Sequence, residues 1–114
     1  MKTNIVHVAI HVRDLNAAIQ WYEETLGFTC ADAWPRAAPT YAHFEQGPGP
    51  RFALRTDAEK AGGTRVTFEV EGIRALWEGL NGEVDIEEPL YEARTGHQKF
   101  AIRDPDGNDL IFQE

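Results

Sequence analysis

The sequence predicts an α+β fold made of two repeated βαβββ modules, and three observations predict it. Strand-like alternation opens each half of the chain, an amphipathic helical stretch follows, and the second half repeats the apolar positions of the first at a constant offset. Val66, Phe68 and Val70 stand 58 positions after Val8, Ile10 and Val12, and Ile73, Leu76, Trp77 and Leu80 stand 58 after Leu15, Ala18, Ile19 and Tyr22. Phe52 and Leu54 relate to Leu110 and Phe112 by the same offset. Self-similarity at a fixed period marks a duplicated supersecondary unit, here one module over residues 1–57 and a second over 63–114 of a single domain.

Taken in order, residues 5–12 alternate as a half-buried strand, with Val8, Ile10 and Val12 on one face and His7, Ala9 and His11 on the other. Asp14 is an N-cap for a helix whose apolar positions run from Leu15 to Leu26, and Gly27 is its C-terminal stop. Strands are expected over 28–33, 41–46 and 51–55, the last two joined by a GPGP turn and the first two by the WPRAAP loop that begins at Trp34. After residues 57–63 the pattern restarts with a strand over 64–70, and Glu71 or Gly72 opens the second helix. The chain closes on a hairpin. Asp104, Pro105, Asp106 and Gly107 suit the four positions of a type I turn, with Phe100 and Ile102 before it and Leu110 and Phe112 after it on one face. Lys99, Arg103, Asp109 and Gln113 occupy the opposite face.

At 114 residues and 42% hydrophobic content the composition is that of an ordinary globular domain. The formal net charge of −8 argues against a nucleic-acid or anionic-membrane partner, because phosphate binding rests on Lys and Arg. Acidic residues crowd between Glu69 and Glu92, offset only by Arg74, as a solvated face would. A single cysteine, Cys30, excludes an intrachain disulfide and a thiolate zinc cluster and fits a reducing cytoplasm; in its apolar run it reads as a small buried residue. The first residues enter a strand pattern directly, so neither a leader nor a membrane span is expected.

The repeated unit, the opening HVAIHVRDLNAAIQWYEETLGF and the closing FAIRDPDGNDLIFQE together resemble the vicinal oxygen chelate superfamily over essentially the whole chain. That superfamily includes glyoxalase I, bleomycin-resistance proteins, fosfomycin-resistance enzymes and extradiol dioxygenases. The resemblance implies curved, antiparallel-rich sheets that enclose a cleft, and a homodimer. It also implies a divalent metal held from the first and last strand of each module. The matching positions here are His7, Ala53, Arg65 and Ile111, so one donor of four is kept. A catalytic divalent ion needs about three protein donors. A guanidinium at a ligand position repels a cation by several kcal/mol, on the order of a Coulomb pair at low effective dielectric. No metal or other cofactor is expected at the usual site; if a metal binds, His7 is among its ligands.

The alternation places His7, His11, Tyr41, His43, Arg65 and Glu69 on the cleft face. A solvated sheet face is also polar, but three of the four histidines fall on this one, beside a tyrosine. These residues, with Trp34 from the loop as a stacking group, are the expected ligand-binding set: Arg65 for an anionic or carbonyl oxygen, Trp34 for a planar ring. The expected function is that of the metal-free, bleomycin-resistance-like branch: a cytoplasmic homodimer that sequesters a drug or metabolite, as in antibiotic resistance, with −8 suited to a cationic drug. The alternative is a lyase, isomerase or dioxygenase whose Zn, Fe, Mn or Ni site is rebuilt from His7, His43 and Glu45 or Glu69. A metal-free form of that alternative uses His7 or His11 as general base. A third possibility is an accessory subunit with no ligand.

Overall fold

The computed structural model describes residues Met1–Glu114, which form two compact units, Met1–Ala61 and Gly62–Glu114. Each unit is one βαβββ module with a four-stranded mixed sheet. The first contains β1 (His7–Val12), α1 (Leu15–Leu26), β2 (Cys30–Trp34), β3 (Tyr41–Phe44) and β4 (Arg51–Thr56). The second contains β5 (Arg65–Glu69), α2 (Ile73–Leu80), β6 (Asp85–Glu92), β7 (Gln98–Arg103) and β8 (Asp109–Gln113). No helix is long and apolar enough to cross a membrane.

The two sheets have one topology, β1-β4-β3-β2 and β5-β8-β7-β6. The first strand of each module pairs in parallel with its last, and the remaining pairs are antiparallel. The sequence repeat is therefore a repeat of register: Val8 pairs with Phe52 and Ile10 with Leu54, as Val66 pairs with Leu110 and Phe68 with Phe112. Because paired residues share a face, these apolar pairs form one layer against the helix.

In the first module Ile10, Val12, Leu15, Ala18, Phe52 and Leu54 are buried, and Tyr22 joins Phe28, Phe44 and Phe52 in an aromatic cluster with centroids 5.5–6.1 Å apart. The side chain of Asp14 accepts a hydrogen bond from the Ala17 amide, and Gly27 closes α1 in the left-handed region at φ 75°, as its sequence position predicts. The second core is smaller. Phe100 packs at a tilt between Trp77 and Phe112, but α2 has 8 residues where α1 has 12, and no residue of β5 is fully buried. Trp77, Leu76 and Phe68 are consequently half-buried.

Several expectations shift. β1 starts at His7, leaving Ile5 and Val6 73% and 75% exposed. Pro50 precedes Arg51, the first paired residue of β4, and has no N–H to extend the ladder. Trp34 ends β2, paired with Tyr41, and the loop begins after it, closed by the Thr40 amide donating to the Trp34 carbonyl at 3.1 Å. Cys30 is half-buried rather than buried; desolvation, then the nearby charge of Glu23, raises its thiol pKa. Gly72 opens α2 with no capping side chain of its own. Both Glu114 carboxylate oxygens take that role, accepting from the Gly72 and Ile73 amides at 3.0 Å each.

The closing turn does more than join two strands. Asp104 and Asn108 are 4% and 0% exposed, and Asp104 Oδ1 accepts from the Asp106 and Asn108 amides while its Oδ2 accepts from Asn108 Nδ2. The carbonyl of Asn108's side chain accepts from the Thr64 amide, so the turn also holds the entry to β5.

Candidate functional site

In the first module the sheet face opposite α1 carries His7, His11, Tyr41 and His43. The register places His7 beside Arg51, and lines up two rows across three strands: Ala9, Ala53 and His43, and His11, Arg55 and Tyr41, with the β4 residue in the middle of each. Ala9 and Ala53 are the small residues between the rows, and over this low floor the rings meet. His7 Nε2 and the Tyr41 hydroxyl share a 2.9 Å hydrogen bond, their rings lie 5.8 Å apart and nearly parallel, and His43 lies 6.0 Å from Tyr41. The Arg55 guanidinium is 5.1 Å from the centre of the Tyr41 ring, a cation–π contact. Trp34 joins the same row through its pairing with Tyr41 and is 64% exposed, a free face for stacking.

At the hairpin end of this face lies a groove of about 610 Å³ lined by His7, His43, Glu45 and Arg51 with Gly47 and Gly49 of the β3–β4 turn. Its size is that of a small-molecule site. His43 Nδ1 is buried without a hydrogen-bond partner. Strand alternation alone places Arg51 and Arg55 on this face, although neither is among the contacts expected from the sequence. The signal was their alternation with Phe52 and Leu54, which puts both guanidiniums on the histidine side.

The second module's face is arranged differently. Arg65 is held by Asp109 at 3.1 Å and Glu87 at 3.3 Å, and Arg103 lies 3.6 Å from Asp85 and 3.7 Å from Asp109. The fork expected to grip a ligand is thus engaged by carboxylates of its own sheet. Glu87 reaches it from β6, the far strand of the sheet, beside a register shift between Ile86 and Glu88. Glu69 pairs with Gln113 at the opposite end of β5 from Arg65 and is exposed.

The metal positions implied by the resemblance do not make a metal site. Ala53 and Ile111 are apolar and buried, Arg65 is cationic, and His7 already shares its Nε2 with Tyr41. No group of three His, Cys, Asp or Glu side chains gathers anywhere with the geometry to hold an ion. The donor set does not fit a divalent cation.

Comparison with known proteins agrees with the architecture. Among curated proteins none matches the chain in sequence. The solved structure of TioX from Micromonospora sp. ML1 superposes with a TM-score of 0.81 at 22% identity, over 99% of this chain and 98% of that one. Lactoylglutathione lyase from Agrobacterium tumefaciens gives 0.80 at 19% identity, over 99% and 94%. A glyoxalase/bleomycin resistance protein/dioxygenase superfamily member from Sphaerobacter thermophilus DSM 20745 gives 0.80 at 21%, over 100% and 98%. At these identities the likeness is one of fold. The model of the Glyoxalase/Bleomycin resistance protein/Dioxygenase superfamily matches residues 4–112, the repeated modules and the closing turn included, and the chain belongs to that superfamily.

Proposed function

We propose that this protein is a metal-free small-molecule binding protein that sequesters a drug or metabolite on the histidine face of its first module. The observation that carries the reading is the pairing of His7 with Tyr41 over the alanine floor, beside a groove of ligand size. The one histidine kept at an inherited ligand position is built into a ring cluster, and the other three positions supply no donor. A cluster of that kind offers hydrogen bonds and a flat aromatic surface without needing an ion. Trp34 and Tyr41 stack a planar part of the ligand; His7, His11 and His43 orient its polar atoms. Arg65 and Glu69, on the second module's face, are the members of the expected set with least support, since Arg65 is ion-paired and Glu69 stands apart from it.

The protein works as a homodimer in the cytoplasm on this reading, because modules of roughly 55 residues bury little apolar surface alone. Two measurements test the reading. Elemental analysis of untagged protein is expected to find no retained transition metal, and near-stoichiometric Zn, Fe, Mn or Ni would overturn it in favour of a metal-dependent lyase, isomerase or dioxygenase. A thermal-shift screen over metabolites and antibiotics is expected to yield stabilising compounds whose effect is lost in His43→Ala. A screen with no hit would leave a ligand-free accessory subunit.

A further inference from the structure

The second module carries twelve Asp or Glu against five Lys or Arg, whereas the first carries seven against six, so seven of the eight net negative charges lie in the second. The acidity of the chain therefore says little about the ligand of the first module. On the second sheet the guanidiniums of Arg65 and Arg103 are already bridged by carboxylates. On the first, Arg51 and Arg55 have no carboxylate partner.

The groove of the first module offers mostly donors. Arg51 and Glu45 balance in formal charge, and the backbone tips the sum: the amides of Gln46, Gly47 and Gly49 find no acceptor within the chain, while the imidazoles of His7 and His43 each offer one N–H and one lone pair when neutral. Pro48 and Pro50 keep this turn from closing into a ladder that would use those amides. His43 Nδ1 is buried and unpartnered, and in the tautomer that carries its N–H there it is a further donor without an acceptor. Asp32, across from His43, already accepts from the Ala33 amide. Unpaired N–H groups lining one groove with a guanidinium are the chemistry that recognises oxygen anions.

We infer that the groove holds the oxyanion of the ligand, a carboxylate or a phosphate, with Arg51 as its charge partner and the turn amides and His43 as its further donors. This rests on the small-molecule binding reading above and replaces the cationic ligand that net charge alone suggests. Trp34 and Tyr41 lie on the same face, so an anion joined to a planar ring suits it best.

The test is a nuclear magnetic resonance titration of the intact protein with benzoate, phenyl phosphate, benzyl alcohol and benzylamine. Benzoate or phenyl phosphate is expected to move the amide signals of Gln46, Gly47 and Gly49 and the ring signals of His43, and the stronger of the two tells carboxylate from phosphate. Arg51→Gln is expected to weaken that binding at least about tenfold, with Arg51→Lys closer to the parent and the exposed Arg94→Gln without effect. Benzyl alcohol or benzylamine binding at these signals as tightly as the anions overturns the anion inference and leaves the binding reading standing. Anion binding unchanged in Arg51→Gln overturns it as well. If all four compounds leave the signals unmoved the inference fails, and the binding reading falls with it only if the metabolite and antibiotic screen is also empty.

Discussion

Tyr41 is the residue on which the first module's face converges, since one hydroxyl and one ring meet His7, His43 and Arg55. Tyr41→Phe keeps the ring and the cation–π contact and removes only the bond to His7. A partly solvated neutral hydrogen bond contributes about 1 kcal/mol or less, so urea unfolding is expected to change little while the His7 ring signals move. A large loss of stability would mean that the hydroxyl holds the fold. Asn108 is the opposite case. Its side chain is 0% exposed, and truncation to alanine removes its hydrogen bonds to the Thr64 amide and to Asp104 Oδ2. Asn108→Ala is expected to cost about 2–3 kcal/mol in urea unfolding, and a change below about 0.5 kcal/mol would remove the turn's claimed role.

The two helices solve the same capping problem by different means, and the difference is testable. In α1 the cap is local, the Asp14 side chain on the Ala17 amide, and Asp14→Ala is expected to cost about 1 kcal/mol. In α2 it is distant, from Glu114, whose carboxyl pKa is lowered by the hydrogen bonds from the Ile73 and Gly72 amides. A folded-state pKa below the unfolded one contributes stability that is present above the unfolded value and lost as pH falls through the folded one. Glu114→Gln is thus expected to be less stable than the parent at neutral pH, with the two unfolding curves converging in acid below the usual carboxylate range. A gap that persists unchanged at low pH would show that the charge is not what matters. At the entry to β5, Gly62 has φ 87° and a Cβ there would meet the Asp106 carbonyl oxygen at 2.5 Å, so Gly62→Ala is expected to displace the closing turn and destabilise the second module.

At the scale of the whole molecule, charge is unevenly distributed. The second module holds the surplus carboxylates, and its ion pairs are partly exposed, Arg65 at 58% and Arg103 at 41%. Exposed pairs are each worth at most about 1 kcal/mol, while like-charge repulsion acts across the module; both are screened by salt. The net effect of raising NaCl from low to about 0.5 M, several-fold shortening the Debye length, is expected to be a higher thermal midpoint. A lower midpoint would mean that the ion pairs outweigh the repulsion.

The sequence by itself determined the repeat, both helices, the turn chemistry and the face on which each strand residue lies. All of these are local periodicities or short-range caps: Val8, Ile10 and Val12 alternate whatever strand lies beside them, and Asp14 and Gly27 act within one turn of their helix. It also placed His7, His11, Tyr41 and His43 on one face, because period-2 alternation is independent of partner. Only the tertiary structure decided which strands pair. The parallel contact of β1 with β4 put Ala9 beside Ala53 and so let His7 reach Tyr41. It likewise decided that Arg65 is bridged by Glu87 from the far strand, and that the last residue caps α2 from 41 and 42 positions away. Such contacts depend on register and chain path, and no spacing along the sequence encodes the distance between residues that the fold alone brings together.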